Sequence, residues 1–224
     1  MKTIPENWLR VELHLHTSAS GDSLVKPQQV IGHCRKIGIH RVAITDHNSI
    51  AGALAAKAMA PELVIVGEEI ETTRGELLGY YMSESIPGGL EPMEVIKRLR
   101  AQGAVISVSH PFDHTRGPHW TYAQLMAIAP HVDALETFNA RCFSNKPNRQ
   151  VAEFAREHDL PGTAGSDAHS VKEIGRAVLR MPPFSHAESF LAALQQAQPQ
   201  TRLSPPWVHL TSQWAKLVRA FRRK

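Results

Sequence analysis

Residues 11–22 read VELHLHTSASGD: an apolar stretch that carries His14 and His16 two positions apart and then runs into a polar turn. In a β-strand, residues i and i+2 point to the same face. The two imidazoles therefore stand side by side, facing solvent, a core, or something that takes two nitrogen ligands. Alone, the pair reads first as two ordinary histidines, and the rest of the chain has to decide.

Outward from this strand, short apolar runs alternate with longer amphipathic ones. Strands are predicted over 11–16, 41–45, 63–70, 76–82, 104–109, 132–138 and 162–165, with a further one over 177–181. Helices are predicted between most of them. Pro27 suits the first position of a helix that Gly38 ends, since proline is pre-organised for a first turn. Further helices are expected over 49–59, 91–102, 122–129, 148–158 and 186–197. Strand-then-helix repetition argues for parallel strands, and seven such units argue for a closed α/β barrel.

The 224 residues suit one domain, with 42% hydrophobic and 21% charged residues typical of a globular protein. Nothing near the N-terminus resembles a signal peptide, and no apolar run approaches the roughly 20 residues of a membrane span. Two cysteines, Cys34 and Cys142, make no disulfide framework, so a cytoplasmic location is expected. A net charge of +4 is not the field of a dedicated nucleic-acid binder. The unusual count is 13 histidines.

Five of those histidines fall at or just past strand ends, in company. His14 and His16 close the first strand, with Asp22 in the loop beyond. Asp46 and His47 follow the second, Glu68 and Glu69 lie in the third, and His110 ends another. LETFNARC brings Glu136, Asn139 and Cys142 to one strand end, and GSDAH brings Asp167 and His169 to the next. In a parallel barrel all these positions converge on the C-terminal rim. Imidazole, carboxylate and thiolate are ligands for Mn, Fe and Zn. A Ser/His/Asp triad is the competing use, but there is no G-x-S-x-G elbow, and no glycine-rich phosphate loop.

Taken in order, HLHTSASGDS, ITDHNSIAGA, VGEEIETTRGELLGYY, SHPFDHTR, LETFNARC and GSDAHS resemble the motifs of the PHP (polymerase and histidinol phosphatase) superfamily. The resemblance runs from about residue 11 to residue 180 and implies a distorted (β/α)7 barrel, related to amidohydrolases, with metals at its C-terminal rim. It implies two to three divalent ions, Mn, Fe or Zn. One would take His14, His16, Glu69 and Asp167; a second would share Glu69 and take His110 and Cys142; a third would take Asp22, His47 and His169. Glu69 is preferred to Glu68 because it matches the family's G-x-E position and only one of two consecutive residues faces inward. Glu69 and Asp167 form the expected catalytic set with Asp46, which would orient a ligand histidine. Arg116, Arg141 and His114 are candidate substrate contacts, the arginines by forking onto phosphate oxygens. His114 or His119 would lie over the rim. The stretch RGELLGYY lacks a histidine that some relatives place nearby, and no large inserted subdomain covers the site.

The function implied is hydrolysis of a small phosphomonoester (a nucleotide, a sugar phosphate or histidinol phosphate) by a metal-bridging hydroxide. A nuclease trimming nucleic-acid ends is the alternative, less favoured because aromatics are only 6% of the chain and a polymer track needs stacking surfaces. A non-catalytic metal-binding module is the third reading. Residues 1–204 are read as one barrel domain. Residues 205–224 are read as a basic amphipathic helix packed on it, with Trp207, Leu210, Trp214, Leu217, Val218 and Phe221 at helical spacing. A membrane surface, RNA or a protein partner is the other use of such a segment.

Overall fold

The structure, a computed structural model, describes residues 4–117 and 119–222. Strand β1 (Leu9–Glu12) is followed by α1 (Pro27–Lys36), β2 (Arg41–Ile44), α2 (Ala51–Met59), β3 (Val64–Glu71) and β4 (Glu76–Tyr80). Then come α3 (Pro92–Ala101), β5 (Val105–Val108), α4 (Tyr122–Ile128), β6 (Ala134–Asn139), α5 (Asn145–Glu157) and β7 (Gly162–Gly165). The chain ends with β8 (Ala177–Met181), α6 (Ala187–Leu194), β9 (Gln198–Thr201) and α7 (His209–Arg222). Proline starts α1 and α3, Thr121 and Gln124 form a capping box on α4, and Ser144 caps α5. Gly38 stops α1 at φ 70°, a left-handed conformation that glycine adopts without strain.

Strands β1, β2 and β3 pair in parallel, as do β5, β6 and β7. Between these groups β4 runs antiparallel to both neighbours. The two ends meet beyond β1, where Leu15 bridges Ala168 in parallel. There Asp167 N–H donates to His14 O at 2.7 Å and His16 N–H to Ala168 O at 2.9 Å. Seven strands thus close a nearly complete barrel, distorted by the reversed β4. Strands β8 and β9 extend antiparallel from the entry half of β1.

Apolar packing leaves one end of this barrel for polar groups. Val30, Cys34, Ala53 and Ala56 of α1 and α2 pack on Val42, Ile44 and Val64. Val95, Leu99, Val151 and Phe154 of α3 and α5 pack with Leu77, Ile106 and Leu135. Phe190 and Leu194 of α6 pack with Val11, Leu78, Tyr80 and Leu179. Both cysteines are free and buried. No described helix is long and apolar enough to cross a membrane.

Helix α7 lies over the barrel mouth by its small and polar side. Ala215 is buried, Ser212 Oγ accepts from Arg141, and Arg219 donates to the Ser18 and Ser23 carbonyls. The large residues at helical spacing, Trp207, Leu210, Trp214, Leu217 and Phe221, are all exposed. At this mouth the barrel presents carbonyls and ionised groups, and only a polar helix face can pair with them. Arg223 and Lys224, at the end of the basic tail, lie outside the described residues.

Candidate metal centre

The strand exits deliver ionisable groups to one buried point. His14 Nε2 lies 3.1 Å from Glu69 Oε2, and His16 Nε2 lies 3.3 Å from both Glu69 Oε2 and Asp167 Oδ1. The two imidazole Nε2 atoms are 3.2 Å apart. On one side, Glu69 Oε1 meets His110 Nε2 at 3.2 Å, and Glu76 Oε2 meets the same nitrogen at 3.3 Å. On the other, Asp22 Oδ2 lies 3.2 Å from His169 Nε2 and 3.5 Å from His47 Nε2. His14, His16 and Glu69, then Glu69, Glu76 and His110, then His16, Asp22, His47 and His169 form groups whose ligand atoms lie within 4.8 Å of one another.

The imidazoles are aimed from behind. His14 Nδ1 is held by Glu136 Oε1 at 2.9 Å, His16 Nδ1 by Ser20 Oγ at 3.2 Å, and His169 Nδ1 by the Asp167 carbonyl at 2.9 Å. Each leaves Nε2 facing inward, the arrangement that partners behind metal-binding histidines impose. Asp46 does not reach the cluster. Its carboxylate accepts from Thr17 N–H and Oγ1 and from Ser20 N–H and Oγ, fixing the turn from which Ser20 also accepts His47 N–H at 2.9 Å. Two of the converging residues, His110 at φ 23° and Asp167 at φ 51°, hold left-handed backbone, a strain that concentrates at functional sites.

A cation fits this donor set. Asp22 Oδ1, His47 Nδ1, Glu69 Oε2 and Asp167 Oδ1 are buried without a hydrogen-bond partner. Buried polar atoms are normally satisfied, and buried carboxylates are tolerated where they are paired or coordinate metals. In their ligating form, the His14 and His16 nitrogens aim two lone pairs at one point, which only a cation or a proton reconciles. The charges respond accordingly. Burial raises Glu69, but His14, His47 and His110 outweigh it and hold the carboxyl well below its usual range. Burial lowers His14, yet Glu69, Glu136 and Asp167 hold it well above the ordinary imidazole value. Burial, then His169 and His47, push His16 down to about 3, leaving it neutral. Burial, then the Glu69 carboxylate, push Glu76 up to about 7.

Of the expected ligands, Cys142 is not brought to the cluster. Its Sγ donates to Asn148 Oδ1 at 3.5 Å, burial pushes the thiol up, and Glu76 occupies the place beside Glu69 and His110. Glu68 faces the opposite side of β3 and accepts from Ile86 N–H at 2.9 Å. Arg116 and Arg141 both line the cavity over the cluster, but neither guanidinium is free. Arg116 pairs with Asp167 at 2.6 Å and Asp113 at 3.2 Å. Arg141 donates to the Val208 carbonyl and Ser212 and lies 3.7 Å from Glu173. His114 lines a separate cavity with Phe112, Tyr122 and Phe154, and stacks edge-on with His119 at 4.7 Å. Sequence reasoning brought Glu136 to the rim without giving it a partner, and gave no role to Glu76, His209, Ser212 or Lys216, which line the same cavity as Asp22. The signal for both glutamates was a charge inside an apolar strand, a position that demands a partner.

A barrel whose strand exits gather imidazoles and carboxylates at one mouth defines a class of metal-binding α/β barrels. Residues 12–123 match the family model described as PHP domain, and residues 145–199 match the one described as PHP-associated. The chain belongs to the PHP family. An uncharacterized protein of Methanocaldococcus jannaschii is 34% identical over 175 residues, 77% of this chain and 70% of that one. The solved structure of a two-domain protein from Bacteroides vulgatus, described as containing a predicted PHP-like metal-dependent phosphoesterase, aligns with TM-score 0.72 at 16% identity. That alignment covers 89% of this chain and 68% of the other. An amidohydrolase from Chromobacterium violaceum, solved with sulfate and no metal, aligns with TM-score 0.61 at 14% identity over 90% of this chain and 96% of that one. At such identities these two structures share the fold.

Proposed function

We propose that this protein is a metal-dependent phosphoesterase acting on a small phosphomonoester. The observation that carries the reading is the set of four buried, unpartnered atoms on Asp22, His47, Glu69 and Asp167, at a cavity whose lining includes Arg116, Arg141 and Lys216. His14, His16, Glu69 and Asp167 would hold one divalent ion. Glu69, Glu76 and His110 would hold a second, and Asp22, His47 and His169 a third. Bound there, such ions would polarise a phosphoryl oxygen and acidify water at neutral pH.

The chain's own residues do the rest. Ser109 Oγ donates to Glu69 Oε1 at 2.6 Å, which frees Oε2 to face His14, His16 and His47. Arg116 clamps Asp167 Oδ2 and leaves Oδ1 facing His16. The Arg116 and Lys216 charges favour a substrate bearing phosphate oxygens, Lys216 as a mobile point charge on an exposed stem. A cavity of about 460 Å³ is of small-molecule size. Because α7 walls one side of it, the cavity favours a compact phosphomonoester over a threaded polymer.

The test is elemental analysis of protein purified without chelator, with p-nitrophenyl phosphate turnover on the same sample, wild type beside His16→Ala. Bound Mn, Fe or Zn with activity that collapses in the variant is expected. Protein that stays inactive after reconstitution with each of these metals overturns the reading.

A further inference from the structure

We propose that the outward face of α7 is a docking surface for an anionic lipid bilayer, on which the protein lies peripherally. Trp207, Leu210, Trp214, Leu217 and Phe221 recur at intervals of three and four, the spacing that puts residues on one face of a helix. They are 66%, 63%, 62%, 48% and 71% exposed. Scattered surface hydrophobics are ordinary, but five large ones in a single row are not. Leu24, 37% exposed, continues the row, lining with Trp207, Leu210 and Trp214 a groove between α7 and the barrel. The opposite side of the helix is already committed to the barrel through Ala215, Ser212, Thr211 and Arg219. The apolar row therefore cannot turn inward without breaking those contacts.

Charge chooses the occupant. From residue 189 to residue 224 the chain has no Asp or Glu, while Arg202, Lys216, Arg219, Arg222, Arg223 and Lys224 are basic. Two copies meeting through α7 would bring two such basic segments together with no acid between them, which opposes a symmetric contact. An anionic bilayer removes that conflict. Aromatic and aliphatic side chains enter the headgroup boundary, where tryptophan is favoured, and the net positive charge of the segment draws it to lipid phosphates. Five apolar anchors on one helix face predict reversible adsorption, sensitive to salt.

The experiment is co-sedimentation of the full-length, metal-loaded protein with phosphatidylglycerol–phosphatidylcholine vesicles and with pure phosphatidylcholine vesicles, at low and high salt. Tryptophan emission is followed on the same samples. Wild type should sediment with the anionic vesicles and shift its emission to the blue. The triple variant Trp207→Ser/Trp214→Ser/Phe221→Ser should lose roughly a hundredfold in partitioning, from the apolar area no longer removed from water. Arg222→Gln/Arg223→Gln/Lys224→Gln should lose about tenfold or more and most of the salt dependence. Unchanged far-ultraviolet dichroism and metal content in both variants would show that the fold is not what failed. Three results would overturn the proposal. They are no binding of wild type to anionic vesicles, equal binding to neutral ones, or a wild-type dimer that the triple variant dissociates. Binding to a single-stranded oligonucleotide without binding to vesicles would equally overturn it, in favour of nucleic acid.

Discussion

Replacing Glu136 with glutamine changes one atom and should weaken metal binding by about five- to 150-fold, with the fold intact. The carboxylate accepts from three directions. His14 Nδ1 meets Oε1 at 2.9 Å, while His110 N–H and Asn139 Nδ2 meet Oε2 at 2.9 and 3.0 Å. An acceptor-only partner keeps the His14 proton on Nδ1 and its Nε2 lone pair toward Glu69. Glutamine offers one oxygen and one NH2. If the NH2 faces His14, the imidazole must carry its proton on Nε2, where it cannot ligate. If it faces the other way, the His110 and Asn139 donors meet a third donor, and His110 loses the bond that pins its left-handed backbone. Either orientation leaves at least one buried donor unsatisfied, which costs about 1–3 kcal/mol. At about 1.4 kcal/mol per decade this gives the stated range. Equilibrium dialysis against buffered Mn or Zn, with a thermal melt of the metal-free protein, measures both terms. A variant that binds metal as tightly as wild type would refute the argument that Glu136 sets the His14 tautomer.

Other expectations follow from the same geometry. Glu76, held up to about 7 in the metal-free protein, is mostly protonated below that pH, so a cation must displace its proton. Metal affinity should therefore fall as pH drops through neutrality, and Glu76→Gln should bind more weakly with a shallower pH dependence, read by chelator competition. Cys142→Ser should leave metal stoichiometry and turnover unchanged; loss of one metal equivalent would return the thiolate to the ligand set. Gly165→Ala should lose metal, because a methyl there would collide with His14 Cβ and Glu136 Oε1. Elemental analysis of the folded variant decides that point. Arg116→Lys should lower turnover more than metal content, since lysine keeps the charge but loses the fork that spans Asp167 and Asp113.

The barrel was legible because its strands are short, apolar and separated by capped helices, and because polar residues recur at their exits. What stayed hidden had no such pattern. Strand β9, QPQT, is mostly exposed and pairs with β8 at the edge of the sheet, so no apolar alternation marks it. The docking side of α7 carries no such mark: its apolar row is the stronger signal, whereas its docking is done by Ser212 and Arg219, residues common on any surface. Asp46 was legible as a supporting group. Its actual partners, Thr17 and Ser20 in the turn after β1, depend on a close approach of Gly52, where a side chain would strike both Asp46 and Thr17.

The substitution of Glu76 for Cys142 in the cluster follows from strand direction. In a parallel barrel the rim collects residues at or just past strand ends, and Cys142 follows β6 where such a residue is expected. Glu76 opens β4, and in a parallel strand that position would lie at the opposite end of the barrel. But β4 is antiparallel: Glu71, near the exit of β3, faces Glu76, and Val108, the last residue of β5, faces Leu77. Reversal carries the first residue of β4 to the rim that the other strands reach with their last. The Trp120 indole, donating to the Glu76 carbonyl at 3.3 Å, fixes it there. The distortion of the barrel is therefore also what completes the donor set around His110.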